Sequence, residues 1–154
     1  MSTAEQEAYL FATIFSISNK LQVLGDRLDT NITIKQWLFL VCVSKFSQPP
    51  TISEVANFSG YSRQNAKRMA TTLHQSGYVI LTKDRHDARA WRIQLTPQSR
   101  GYLESHPPGE TGLLEKIFAG LDAGLILALS TGLDRLEHNL TALTMQADNN
   151  TFDS

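Results

Sequence analysis

Apolar residues recur every three or four positions over the first 28 residues, the spacing of one face of an α-helix. This pattern predicts a long amphipathic helix over residues 4–28. A second helix is predicted from a cap at Thr33 to about Ser47. Its interior, WLFLVCV, is apolar on every side, so we expect it at the centre of the core, and two prolines at 49 and 50 end it.

Two helices joined by a tight turn are predicted next. Thr51 and Glu54 fit a capping box, in which each side chain accepts a hydrogen bond from the other residue's backbone amide. Gly60 supplies a left-handed exit from the first helix, Ser62 caps the second, and Gly77 closes it. The apolar stripe of this second helix consists of Ala66, Met69, Ala70 and Leu73.

A β-hairpin is predicted after these helices. Residues 78–82 are rich in β-branched and aromatic side chains, and residues 91–95 alternate between apolar and polar. The connection over residues 83–90 is too charged for a core. Thr96 and Pro97 then begin another helix, since proline is favoured at the first helical position.

The last third of the chain is predicted to be helical with one interruption. Pro107, Pro108 and Gly109 should break or kink the chain. Residues 113–147 then form a long helix, and the polar tail DNNTFDS is expected to fray.

Charge is unevenly distributed along the 154 residues, whose formal net charge is −1. Residues 61–100 hold eight lysines and arginines against two aspartates, a local charge of +6. A basic segment on an acidic body indicates an anionic ligand bound on one face. The single cysteine and the lack of a membrane-length apolar run or a signal peptide predict a cytoplasmic protein without a membrane partner.

The helix over residues 62–76 presents side chains suited to reading DNA in the major groove. Arginine pairs with guanine, asparagine and glutamine pair with adenine, and threonine contacts the thymine methyl group. The alternative is an ordinary solvent-exposed helix. The candidate DNA-binding residues, including a cap whose first turn can hold a phosphate, are Ser62, Arg63, Gln64, Asn65, Lys67, Arg68 and Thr71.

The charged loop over residues 83–90 is a second candidate DNA contact. Its tip can enter a narrow minor groove, where the negative potential attracts cations. Asp84 and Asp87 do not suit a phosphate contact, and we expect them to brace Arg85 or Arg89 within the loop. The candidate loop residues are Lys83, Arg85, His86 and Arg89.

The two terminal helices carry apolar residues at heptad spacing. A small DNA-binding domain of three helices and a hairpin has little room to bury both stripes. We therefore expect a homodimer whose two-fold axis matches a palindromic DNA site. The alternative is that both helices pack on the chain's own core. The candidate dimerisation residues are Leu10, Ile14, Ile17, Leu21, Leu129, Leu133, Leu136 and Leu140.

These segments resemble the MarR family of bacterial winged-helix transcription regulators, most closely over residues 33–104. TISEVANFSGYS is similar to that family's third helix and turn, and SRQNAKRMATTLHQSGYV resembles its recognition helix. DRHDAR, followed by IQLTPQSR, resembles the D-x-R-D-x-R wing motif and the entry to the next helix. His86 stands where the motif usually has arginine, which makes Arg85 the possible substitute at the wing tip.

The resemblance implies a mainly α fold with a small β-hairpin wing, built as a winged helix-turn-helix with N- and C-terminal dimerisation helices. We expect one domain over residues 1–154, with the DNA-binding part at 33–104 and the dimerisation part at 4–30 and 105–147. The family further implies a dimeric repressor, less often an activator, of double-stranded DNA sites. Many members bind a small aromatic or anionic effector, for which the candidate pocket residues are Phe11, Phe15 and Trp37, although such aromatics are more often core.

No enzyme function fits the sequence. It lacks G-x-S-x-G, Walker and H-E-x-x-H motifs, and its four histidines lack ligand spacing, so no catalytic site, metal or cofactor is expected. Two other functions remain open. One is a winged-helix module whose basic face binds an acidic protein partner, and the other is a thiol-based oxidant sensor that acts through Cys42. The apolar surroundings of Cys42 favour a structural role.

Overall fold

Helices and one hairpin follow each other in the predicted order in the computed structural model, which describes residues 1–29, 31–105 and 112–152. The prediction of a mainly helical chain with a small β-hairpin is confirmed. The elements are α1 (Thr3–Leu28), α2 (Ile34–Ser44), α3 (Ile52–Ser59), α4 (Arg63–Gln75), β1 (Val79–Lys83), β2 (Trp91–Leu95), α5 (Pro97–Ser105), α6 (Leu113–Ile117) and α7 (Ala123–Phe152).

Side-chain caps fix where several of these helices begin. The Thr51 hydroxyl accepts from the Glu54 amide at 3.2 Å, and the Glu54 carboxylate accepts from the Thr51 amide at 2.7 Å, as predicted. The same reciprocal pair begins α2 at Thr33 and Gln36. A cap of this kind contributes about 1 kcal/mol to helix stability. The short local sequence therefore determines the first turn of both helices.

The core is formed by α2, α3, α4 and the hairpin. Its largest fully buried apolar side chains are Phe39, Leu40, Val55, Leu73, Val79 and Ile93. Helix α2 lies in this core as expected, with Phe39, Leu40, Cys42 and Val43 buried, but one side of it is uncovered, because Leu38 is 40% exposed. The elements packed against α2 leave this side uncovered. The helix also ends at Ser44, three residues before the predicted boundary.

Strand β2 pairs on both of its edges. On one edge it runs antiparallel to β1, with Val79 opposite Leu95 and Leu81 opposite Ile93. On the other edge, Thr51 forms an isolated bridge with Arg92, and the Ile93 amide donates to the Pro50 carbonyl at 2.8 Å. The hairpin is thereby joined to the segment that leads into α3.

Helix α1 is joined to this core at its C-terminal end. The Ile34 amide donates to the Asp26 carboxylate at 2.7 Å, and the Tyr102 hydroxyl donates to the Asp29 carboxylate. Tyr102 in turn packs edge-on against Tyr78, with 6.0 Å between ring centroids. Among the described residues, these hydrogen bonds to the core fix only the end of α1, and none of the side chains of α1 is buried.

The C-terminal part departs from the prediction of one helix over residues 113–147. Helix α6 ends at Ile117, and the chain turns at Gly120, whose φ of +84° is a backbone conformation that suits glycine. Asp122 accepts from the Leu125 amide at 2.8 Å, which caps the start of α7. The tail expected to fray is helical as far as Phe152. The break expected at 107–109 lies outside the described residues.

The chain groups by its contacts into two compact units, residues 1–106 and 107–154. The first unit holds α1 to α5 with the hairpin, and the second holds α6 and α7. No helix in the described part of the chain has the length and apolar character needed to cross a membrane.

Gly25 is required by the close approach of α1 and α2. A Cβ at this position would lie 2.9 Å from the Ile34 Cβ. We expect Gly25→Ala to lower the free energy of unfolding by about 1–3 kcal/mol, because the two helices must separate. Urea denaturation would measure this. Gly101→Ala is the control, since a Cβ there meets nothing within 4 Å. Equal stability of the two variants would contradict the steric argument.

Candidate nucleic-acid interface

A three-residue turn sets the angle between α3 and α4. Gly60 adopts φ of +78°, and its amide donates to the Ala56 carbonyl at 2.9 Å. The Ser62 hydroxyl then accepts from the Asn65 amide at 3.2 Å and caps α4. Gly77, with φ of +80°, closes α4 at its other end. The predicted helix, turn and helix are therefore all present.

The two faces of α4 differ in the predicted manner. Ala66, Ala70 and Leu73 are buried, and Met69 is partly buried against the same core. The structure places all the predicted reader residues on the exposed surface of this helix and its cap: Ser62, Arg63, Gln64, Asn65, Lys67, Arg68 and Thr71. The Thr71 hydroxyl donates to the Lys67 carbonyl at 2.9 Å, which leaves its methyl group for apolar contact.

The cations of α4 have no acidic partner in the described part of the chain. Arg63, Lys67 and Arg68 form no ion pair with any described residue. The one ion pair within the described part of the chain joins Arg92 to Asp84. In addition, the first amides of an α-helix have no partner within the helix. This end of α4 therefore presents positive charge and unpaired donors to an anion.

The loop between β1 and β2 is braced by its two aspartates. Asp84 accepts from the amides of His86 and Asp87 at 3.2 and 3.0 Å. Asp87 accepts from the Arg89 amide at 2.9 Å. The expectation that Asp84 pairs with Arg85 or Arg89 is wrong: its ion pair is with Arg92 on β2, because the hairpin register brings that side chain beside the end of β1.

This bracing leaves the cations of the loop exposed. The hydrogen bond from Arg92 lowers the pKa of the Asp84 carboxyl, and the loop amides act in the same direction. Arg85, His86 and Arg89 are exposed and form no ion pair with any described residue. Lys83 differs from them, because its ammonium lies 5.6 Å from the centroid of the Trp91 ring.

A shallow cleft of about 270 Å³ runs beside α4. It brings the first turn of α2 next to the reader residues, and it is lined by Thr33, Lys35, Gln36, Tyr61, Asn65, Arg68, Met69 and Thr72. The Tyr61 hydroxyl donates to the Lys35 carbonyl at 3.3 Å and links the turn to α2. Sequence reasoning missed Lys35. The available signal was the position of this lysine in the first turn of the helix predicted to begin at Thr33.

The residues of both predicted dimerisation stripes are exposed. On α1, Leu10, Ile14, Ile17 and Leu21 are each more than 40% exposed. The same holds on α7 for Leu129, Leu133, Leu136 and Leu140. Exposed apolar stripes of this length indicate a surface that another protein covers.

The candidate effector residues lie in different surroundings. Phe11 and Phe15 are exposed on α1 and contact each other edge to face, with ring centroids 5.2 Å apart. Trp37 is partly buried against the core. Cys42 is also in the core, and burial raises the pKa of its thiol. Because the thiolate is the form that oxidants attack, this environment disfavours the oxidant-sensor alternative.

The chain is similar to one family model and to many solved structures. Residues 30–90 match the model of the MarR family. A MarR transcriptional regulator from Methanosarcina mazei Go1 superposes with a TM-score of 0.78 at 17% identity, over 88% of this chain and 99% of that one.

Two further similar structures contain a bound ligand. The organohalide-sensing regulator RdhR-CbdbA1625, in a form bound to 2,4-dichlorophenol, has a TM-score of 0.77 at 16% identity, over 94% of this chain and 88% of that one. FabT from Streptococcus pneumoniae, in complex with DNA, has a TM-score of 0.64 at 22% identity, over 89% and 99%. At these identities the likeness establishes the fold.

Arg68 is central to the exposed arc of α4, so we expect it to contribute to sequence choice. Arg68→Ala should weaken binding to a selected DNA site by roughly 1–3 kcal/mol and weaken binding to random DNA less. Fluorescence anisotropy with both duplexes would measure this. Arg100→Ala, which removes the same charge from an exposed position on α5, is the matched control. Equal losses on both duplexes would mean that Arg68 contacts phosphate instead of a base.

Proposed function

From its membership of the MarR family of winged-helix transcription regulators, we propose that this chain is a cytoplasmic homodimeric repressor of a palindromic DNA site. Residues 62–76 enter the major groove, and the loop over residues 83–90 reaches the adjacent minor groove. Members of this family are DNA-binding regulators and not enzymes. A small aromatic or anionic effector releases the DNA.

The observation that carries this proposal is the uncompensated positive charge of α4 and the loop. Arg63, Lys67 and Arg68 on the helix, and Arg85 and Arg89 on the loop, have no acidic partner among the described residues. The aspartates that could neutralise the loop are instead bonded to its backbone and to β2. A protein with a net charge of −1 that concentrates free cations in this way is suited to a polyanion.

Dimerisation is supported by the two exposed apolar stripes. The dimerisation part comprises residues 4–30 and 105–147, and its stripes on α1 and α7 follow the heptad spacing of helices that pack against each other. A two-fold axis would present two copies of α4 and the charged loop to the DNA, one from each protomer. Half-sites one or more helical turns apart would then match the symmetry of the protein.

Effector release is supported by chemistry found in a protein of the same fold. One structural relative is described as bound to 2,4-dichlorophenol, a small aromatic compound. In this chain, Phe11, Phe15 and Trp37 are the aromatic residues proposed to contact such a ligand. Dissociation of a labelled DNA duplex on addition of substituted phenols or benzoates would test this proposal.

Selection of DNA fragments from a random pool tests the function most directly. We expect the purified protein to enrich an inverted repeat, and we expect the affinity to fall steeply as salt increases. Binding to an acidic protein partner without enrichment of any DNA sequence would favour the alternative of a protein-interaction module.

The loop should contribute affinity that depends little on sequence. Replacing Arg85 and Arg89 together with alanine should weaken binding to selected and random DNA alike. The slope of log affinity against log salt should fall by about 0.9 for each phosphate that the protein no longer neutralises. Binding titrations between roughly 50 and 200 mM salt would measure it. An unchanged slope would show that these arginines do not contact phosphate.

The dimer should depend on the apolar stripe of α1. We expect Leu21→Asp to raise the dissociation constant at least about a hundredfold, because burying an unpaired charge costs several kcal/mol. Sedimentation velocity across a concentration series would measure this constant. Asn19→Asp adds the same charge to the opposite side of α1 and should leave the dimer intact. A wild-type protein that stays monomeric at micromolar concentration would remove the dimer from the proposal.

A further inference from the structure

The side chain of Arg92 lies where three segments of the DNA-binding part meet. Its Nε donates to the Asp84 carboxylate at the start of the loop. Its Nη1 donates to the Pro49 carbonyl, at 2.7 Å, in the segment that leads into α3. One guanidinium on β2 therefore joins the loop to the beginning of the helix-turn-helix.

Backbone contacts place this guanidinium at a structural junction. Thr51 forms a bridge with Arg92, and the neighbouring Ile93 amide donates to the Pro50 carbonyl. Thr51 is also the cap of α3. The position of β2 thus sets where the first turn of α3 lies in space. The three-residue turn between α3 and α4 then fixes the placement of α4 relative to α3.

The Asp84 carboxylate divides its two oxygens between Arg92 and the loop. One oxygen accepts from Arg92, while the other accepts from the amides of His86 and Asp87. The Asp84 side chain is only 10% exposed, whereas Arg85 and His86 beside it are exposed. Without Arg92, the carboxylate that orders the loop backbone would no longer be oriented by an ion pair.

We infer that Arg92 is a positioning residue for DNA binding: it ties the loop and the entry of α3 to β2 and holds the loop cations at a fixed distance from α4. This inference rests on the proposed DNA-binding function. Arg92 acts through the protein and not on DNA, because two of its three nitrogens already donate to protein acceptors. A reader with two parts gains affinity when both parts are held in place before binding, since less freedom is then given up on binding.

Two substitutions separate positioning from simple charge. Arg92→Lys keeps the charge but replaces a planar fork with one ammonium, which cannot serve both acceptors in the same geometry. Asp84→Asn removes a negative charge beside the DNA-facing loop. Electrostatics alone would leave affinity unchanged for the lysine variant and increase it for the asparagine variant. Positioning predicts that both variants bind the selected duplex at least about tenfold more weakly, which corresponds to about 1.4 kcal/mol.

The salt dependence of binding is the second readout. Both variants should keep the wild-type slope, because neither substitution removes a cation that neutralises a phosphate. Arg89→Gln is the matched control on the same hairpin, and its slope should fall by about 0.9 for each phosphate left without its cation. Wild-type affinity in Arg92→Lys, or tighter binding by Asp84→Asn, would overturn the inference. A flattened slope in Arg92→Lys would do so too, since it would mean that the variant neutralises fewer phosphates, which the loss of loop ordering alone does not predict.

Hydrogen exchange of the DNA-free protein separates this inference from the proposed function. In both variants the amides of residues 84–90 should exchange faster, while those of α4 should stay protected as in the wild type. Unchanged exchange in the loop, or a uniform increase over the whole chain, would contradict the positioning role. If wild-type protein selected no DNA, the proposed function would fall and the DNA-binding role of Arg92 with it. The exchange data would still show whether Arg92 orders the loop.

Discussion

The pairing of β2 on both of its edges is the constraint on which the core, the charged loop and the helix-turn-helix depend. Ile93 and Leu95 bury their side chains in the core, while the backbone of the same strand bonds to β1 on one edge and to Pro50 on the other. A shift of this strand by one residue would turn its buried side chains to solvent. The register therefore fixes together the core, the charged loop and the start of α3.

This arrangement also decides where positive charge is free. The Asp84 carboxylate accepts hydrogen bonds from two loop amides and from Arg92, and the Asp87 carboxylate accepts one from the Arg89 amide. Neither carboxylate therefore neutralises the cations of the loop. The buried stripe of α4 turns its lysine and arginines outward. A chain that is slightly acidic as a whole thus presents an unneutralised basic surface on α4 and the loop between β1 and β2.

The terminal helices are subject to a different physical requirement, which is the burial of their apolar stripes. Their leucines and isoleucines are spaced for helix packing, yet α1 buries none of its side chains within one copy of the chain. Apolar surface of this extent is unfavourable in water and is usually covered by a partner. The proposed homodimer would meet this requirement, since the same helices that pair two copies would also set the spacing of their two α4 helices on DNA.

Local interactions within a few residues were determined by the sequence itself. The capping pair at Thr51, the left-handed turn at Gly60 and the cap at Ser62 each involve atoms no more than four residues apart, so their chemistry is visible in the order of residues. Tertiary structure alone decided which arginine pairs with Asp84, because strand register brings together residues eight apart. It also decided that Leu38 is exposed, since hydrophobic spacing predicts an apolar helix but not which neighbours cover it.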